Sequence, residues 1–238
     1  MTNLSVIIPT RNEEKIVLRN LNRIYEYMKE FNEISNFEII ICDKSEDMTP
    51  SIVKEMILKF PEIKYFKVEK KGIGAALKDG IDHAQYDILM LYDLDMAWKI
   101  DIIKNAVKEI LNGYDMVYGS RYLSDSRKNR PLKRKIFSTL YYILVRILFN
   151  IQIRDWNANR SCRKESIMKF RNKLEYDTGF FHTELVIYGK QYNLRMKEIP
   201  ADVTDMRNSS TIYVLKVGWS VFKSSLNKRM KLWLGKKN

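Results

Sequence analysis

The chain has 238 residues, the size of a single α/β domain, and its 45% hydrophobic and 30% charged residues are a globular balance that excludes a disordered tail protein. Lys and Arg total 42 against 29 Asp and Glu, a formal charge of +13, which points to an anionic partner: nucleic acid, an anionic membrane surface or a phosphorylated substrate. Two cysteines, Cys42 and Cys162, are too few for a disulfide framework and lack metal-type spacing, so a reducing, cytoplasmic setting is expected, and the opening MTNLSVIIPTRNEE has too short an apolar run for a signal peptide.

Short apolar runs alternate with longer helical patterns through the first half. Residues 4–9 (LSVIIP) read as a buried strand, and 13–31 as a helix with apolar residues at Ile16, Leu18, Leu21, Ile24, Tyr25 and Met28. A second strand is expected at 37–42 (FEIIIC), then a helix opening near Pro50, a residue suited to a first helical position. Strand 63–69, helix 74–84, strand 87–93 (DILMLYD), helix 100–111 and strand 115–119 (DMVYG) follow. The alternation predicts an α/β fold of right-handed βαβ units around a mostly parallel sheet flanked by helices. Ligands in such open sheets bind beyond the carboxyl ends of the strands.

The second half reads differently. Residues 127–135 carry six basic side chains and no acidic one, and an apolar stretch, IFSTLYYILVRILFNIQI, covers 136–153. With Arg146 in mid-segment and Asn150 and Gln152 after it, this is a membrane-surface or core helix rather than a spanning one. Beyond Asp205 no acidic residue remains, while Leu215, Trp219, Phe222, Leu226, Met230 and Trp233 recur at helical spacing. The resulting basic amphipathic helix over 212–238 has two readings: an interfacial membrane anchor, or a helix packed on the domain with its lysines in solvent. Peripheral association with a membrane is expected, and one domain over 1–211, including the 131–153 helix, accounts for the rest.

Four polar clusters follow predicted strand ends: Pro9-Thr10-Arg11-Asn12-Glu13-Glu14, Asp43-Lys44-Ser45-Glu46-Asp47, Asp93-Leu94-Asp95 and Gly119-Ser120-Arg121-Tyr122. Two carboxylates one residue apart at the exit of a buried strand repel unless a cation joins them, and hard oxygen ligands suit Mg²⁺ or Mn²⁺ carrying diphosphate. Lys71-Gly72-Ile73-Gly74 leads into a helix whose backbone N–H groups could meet a phosphate, although this is not the dinucleotide spacing. With only His83 and His182, a histidine-centred triad or zinc site has little material.

In this order the motifs resemble the family 2, GT-A fold glycosyltransferases, and within them the dolichol-phosphate mannose synthase group. Its Pro-Thr-Tyr-Asn-Glu-type loop is matched by Pro9-Thr10-Arg11-Asn12-Glu13, its Asp-Asp-Gly-Ser-Thr-Asp loop by Cys42-Asp43-Lys44-Ser45-Glu46-Asp47, and its Asp-Ala-Asp by Asp93-Leu94-Asp95. Gly-Ser-Arg-Tyr is intact at 119–122, and a Pro-Leu-x-Arg-x-x-x-Ser-type stretch is similar to 131–138. The segment 179–184 looks like Gly-Phe-x-Phe-x-x-Glu, and Glu198-Ile199-Pro200 with Arg207-Asn208-Ser209-Ser210 resembles the closing strand and its phosphate-binding arginine. The resemblance implies a nucleotide-diphosphate sugar donor whose base and ribose are held by Pro9, Arg11, Glu13 and Asp43, with Gly72 also on the donor side. Asp93 and Asp95 would hold Mg²⁺ or Mn²⁺ and the diphosphate. Arg121, Arg134, Ser138 and Arg207 would hold the phosphates of the donor and a polyprenyl phosphate acceptor. Asp95 and Arg121 are the expected catalytic residues of an inverting hexosyl transfer, mannose before glucose.

The chain departs from the pattern at several places. Arg11 replaces a Tyr, Cys42 the first Asp, Lys44 a Gly and Ala97 a Gln, and the Asp-x-x-Ser-Gly-Phe-Arg stretch appears as Asp155-Trp156-Asn157-Ala158-Asn159-Arg160. Two alternatives stay open. The same fold acting on a hydroxyl acceptor would need a carboxylate base, with Asp155 and Glu184 the candidates. A basic nucleic-acid-binding module is permitted by charge but shows no recognition motif, so no nucleic-acid partner is expected.

Overall fold

The computed structural model describes the backbone of residues 2–123, 132–203 and 211–234, and their side chains except at 132–135, 137 and 211–218. The first half alternates strand and helix: β1 (Thr2–Thr10), α1 (Val17–Lys29), β2 (Ile34–Asp43), α2 (Thr49–Ile57), β3 (Ile63–Lys67), α3 (Ile73–His83), β4 (Ile88–Leu91), α4 (Ile102–Leu111) and β5 (Met116–Ser120). Then come α5 (Leu132–Phe149), β6 (Arg160–Arg163), α6 (Lys164–Met168), a 3₁₀ turn, α7 (Phe181–Gln191), β7 (Met196–Pro200) and α8 (Thr211–Leu234).

The strands form one sheet in the order β3-β2-β1-β4-β6-β5-β7. Its pairings are parallel except around β6, which runs antiparallel between β4 and β5. Strand order reverses between β1 and β4, so the crevice for a ligand opens at their carboxyl ends. Along the central strands the side chains alternate. Leu4, Val6, Ile8, Ile39, Ile41 and Met90 pack toward α1, α2 and α4. Ile7, Ile40, Leu91 and Tyr118 pack toward α3 and α7.

Two elements differ from the sequence expectation. Helix α1 starts at Val17 rather than 13 because the N–H groups of Glu13 and Glu14 are taken by Thr49 Oγ1 (2.9 Å) and Asp47 Oδ2 (3.2 Å), which tie the β1–α1 loop to the start of α2. Strand β6 (RSCR) was not anticipated, since two arginines in four residues carry no apolar run.

The orientation of α8 is the less expected result. Among its described side chains Ser225 and Lys228 are buried, with Val221 and Leu232 packed partly buried on the same face, at spacings of four, three and four. Most of the described apolar stripe faces outward instead, with Trp219 69% exposed, Leu226, Met230 and Trp233 also exposed and Phe222 half-buried, while the Leu215 side chain lies outside the described residues. Helix α5, which packs against α8, likewise exposes Ile136, Leu140, Ile143 and Ile147, the last by 76%. Among the described residues no helix is long and apolar enough to cross a membrane.

Candidate active site

At the end of β4, Tyr92 N donates to Ile7 O at 3.0 Å, which extends the pairing with β1 by one residue. The chain then turns at once: Met96 N donates to Asp93 O (3.2 Å), Ala97 N donates to Asp95 Oδ1 (3.1 Å), and Met96 takes a left-handed φ of 52°. Asn20 of α1 donates to Leu94 O at 2.9 Å and Tyr92 OH donates to Trp98 O at 2.8 Å, fixing the turn from both sides. Asp93 and Asp95 are thus held, half-buried, at the mouth of the crevice.

Asp43 ends β2 beside Thr10 and is 1% exposed. Its Oδ1 accepts from Thr10 Oγ1 (2.7 Å) and Ser45 Oγ (2.5 Å), and its Oδ2 from Ser45 N (3.2 Å) and Tyr65 OH (3.1 Å). Burial and the Asp43 charge push the Tyr65 hydroxyl up to about 12, so it stays a donor. The Asp43 carboxylate therefore locks the two loops together, leaving Pro9 and Glu13 half-buried and Arg11 exposed along the rim.

Across the crevice Arg121 follows β5. Its Nε and Nη2 donate to the two oxygens of buried Asp155, each at 2.8 Å, and its backbone N donates to Asp155 Oδ2 at 3.0 Å. The guanidinium lies 5.2 Å from the Trp98 ring centre. Tyr122 OH donates to Ser138 Oγ at 2.9 Å, joining the end of β5 to α5. The expected partners Arg121 and Ser138 thus share one wall. The Arg134 side chain and Arg207 lie outside the described residues.

Gly72 and Gly74 answer to a packing demand. A Cβ on Gly72 would stand 2.1 Å from Asp177 O, and one on Gly74 would stand 2.6 Å from Tyr176 O. Gly74 N and Ala75 N already donate to Asp177 O (2.9 and 3.3 Å), so those donors at the α3 N-terminus are committed rather than open to a phosphate.

A family profile described as glycosyl transferase family 2 matches residues 5–177, most of the chain. The chain belongs to that family. Among family 2 relatives, glycosyltransferase AglD of Haloferax volcanii is 27% identical over 203 residues, 84% of this chain and 32% of the relative. A dolichol-phosphate mannosyltransferase of Pyrococcus furiosus is 31% identical over 137 residues, 57% of this chain and 38% of the relative. The chain therefore spans about a third of the length of these two. Dolichyl-phosphate beta-glucosyltransferase ALG5D of Trichomonas vaginalis is 26% identical over 97% of this chain and 75% of its own. Glucosyl-3-phosphoglycerate synthase of Mycobacterium tuberculosis, solved with Mn²⁺, UDP and phosphoglyceric acid, superposes with a TM-score of 0.73 at 16% identity, over 96% of this chain and 78% of that chain. That likeness shows the GT-A fold.

Asp93 and Asp95 are the residues that would hold a divalent ion such as the Mn²⁺ with which that neighbour was solved. They are hard oxygen ligands, and among the described residues no group of three or more His, Cys, Asp or Glu side chains gathers to hold a metal. A two-carboxylate set suits an ion that completes its shell with substrate phosphate and water. When bound, such an ion neutralises charge on a leaving diphosphate.

The two carboxylates considered as bases are both occupied. Asp155 is the bidentate partner of Arg121. Fully buried Glu184 accepts from Tyr176 N (2.9 Å), Glu175 N (3.3 Å) and Lys228 Nζ (2.7 Å), so it anchors α8. Sequence reading missed Trp98 under Arg121, and the role of Glu198 of the closing-strand motif, which accepts from the backbone N of Arg154 and of Asp155 at 3.0 Å each. The pairing of β5 with β7 and β6 brings Glu198 beside Asp155, which no local pattern shows.

Proposed function

We propose that the protein transfers one hexose, mannose before glucose, from a nucleotide-diphosphate sugar to a polyprenyl phosphate at the cytoplasmic membrane surface, with inversion at the anomeric carbon. The observation that carries the lipid acceptor is the outward apolar stripe of α5 and α8. A helix held by buried Lys228 leaves Trp219, Met230 and Trp233 in solvent, where their apolar surface stays hydrated. It gains at a lipid interface, where exposed Arg146, Lys223 and Arg229 meet anionic head groups.

In this reading Pro9, Arg11, Glu13 and Asp43 hold the base and ribose, and Asp93 and Asp95 hold the diphosphate through Mg²⁺ or Mn²⁺. Arg121 and Ser138, with Arg134 and Arg207, hold phosphate. A polyprenyl phosphate is already deprotonated at neutral pH, so the chain must place it in line and stabilise the leaving charge rather than supply a base. The pairing of both Asp155 and Glu184 with cations agrees with that requirement.

The test is calorimetry with GDP-mannose, UDP-glucose and UDP-N-acetylglucosamine, with and without Mn²⁺, followed by transfer assays on anionic vesicles carrying polyprenyl phosphate. Metal-dependent binding of one donor and a glycosylated lipid product are expected. A donor that binds but is transferred only to a soluble hydroxyl acceptor would refute the lipid assignment.

A further inference from the structure

Arg160 opens β6 at the carboxyl edge of the sheet, in register with Leu91 of β4 on one side and Tyr118 of β5 on the other. It is 1% exposed. Its Nε and Nη2 donate to Ala158 O at 3.0 and 2.7 Å, Nη2 lies 2.9 Å from His182 Nδ1, and the guanidinium carbon is 5.4 Å from the Tyr118 ring centre. Its Nη1 has no hydrogen-bond partner, and the carboxylates that act on it, Asp93 and Asp155, do so through charge. Arg121 differs, since Asp155 matches its charge.

Two further buried donors in the same short stretch are unpartnered, Trp156 Nε1 and Asn159 Nδ2. Among the described residues the remaining buried side-chain atom in this condition is Glu33 Oε2, far along the chain. All three atoms between 156 and 160 are N–H donors. Leaving such groups unmet is unfavourable, most of all for the charged Arg160, whose free N–H is complemented by an acceptor oxygen carrying negative charge. His182 reinforces the sign. Burial and then the Arg160 charge push it well below its usual range, so the ring is neutral, with Nδ1 accepting from Arg160 and the proton on Nε2. The pair thus remains a net cation.

We propose that Arg160, through its unpartnered Nη1, forms a phosphate-receiving site additional to the Arg121–Ser138 wall, and that His182 orients the guanidinium. The inference rests on the transferase reading above. The phosphate has two sources, the diphosphate of the donor or the monophosphate of the acceptor.

Calorimetry on the full chain with Mn²⁺ separates them, using GDP and UDP as one arm and geranyl phosphate as the other, on wild type, Arg160→Met, Arg160→Lys and His182→Phe. Arg160→Met is expected to weaken one arm about tenfold to a hundredfold, the arm affected naming the source. Arg160→Lys should recover part of the loss, because charge returns without the forked donors. A folded Arg160→Met protein that binds both probes as wild type does would overturn the proposal. Should Arg160→Met fail to fold, Arg160→Lys and His182→Phe take its place. Weakening of one shared arm supports the site, and unchanged binding in both refutes it. If wild type binds neither probe, the transferase reading fails, and this site with it.

Discussion

Lys228→Met removes an ammonium that is 1% exposed and leaves its partner stranded. Lys228 Nζ donates to Glu184 Oε1 at 2.7 Å and lies 4.6 Å from the Tyr188 ring centre. Burial opposes the charge, but the bonds to Glu184 and Tyr188 outweigh it and raise the lysine above its ordinary 10.5. The stabilisation is therefore fully present at neutral pH and is lost only as pH rises through that elevated value. Breaking a buried pair from one side costs about 3–5 kcal/mol, and the low end applies here because Glu184 keeps the N–H groups of Glu175 and Tyr176. For a chain of this length about 3 kcal/mol lowers the melting temperature by roughly 6–12 °C. Thermal melts would measure the shift, and hydrogen exchange would show α8 opening before β4. Adding Glu184→Gln removes the stranded charge, so the double variant should be more stable than Lys228→Met alone, by about 1 kcal/mol. A Lys228→Met protein melting within about 2 °C of wild type, or a double variant no better than the single, would show that the pair does not hold α8.

Asp95→Ala should cut turnover by about a hundredfold or more while the melting temperature stays put. A chelator should do the same to wild type, reversibly with Mn²⁺, and full turnover in either case would remove the metal role. Glu38 gives a pH prediction. Burial works to raise its carboxyl, but bonds from Lys64 Nζ (2.6 Å), Ser5 Oγ (2.6 Å) and Gln85 N (2.7 Å) outweigh it and hold it below the usual value. Its stabilisation is present above the ordinary 4.5 and is lost as pH falls through the lower folded value. Glu38→Gln should therefore flatten the loss of melting temperature between about pH 5 and 3, and parallel curves for the two proteins would contradict this.

Much of the site was legible because the strands leading to it are. FEIIIC and DILMLYD are apolar on both faces, as strands covered by helices on both sides must be, so their ends place Asp43 and the Asp93–Asp95 pair without reference to any other part of the chain. RSCR carries no such signal. It becomes a strand because β4 and β5 leave unpaired edges on either side of it. The same limit hid the Arg121–Asp155 pair, 34 residues apart, and the filled N-terminus of α3, where the acceptor Asp177 arrives from α7's approach.

Sequence periodicity alone determined that α8 is an amphipathic helix with Trp219, Met230 and Trp233 on one side. Tertiary structure alone decided which side is buried. A lone lysine cannot pay its desolvation in a core, but Lys228 finds Glu184 already held by two backbone N–H groups, and that ion pair turns the tryptophans outward. Periodicity is a property of neighbours along the chain, whereas the free energy of burying a charge depends on a partner 44 residues away.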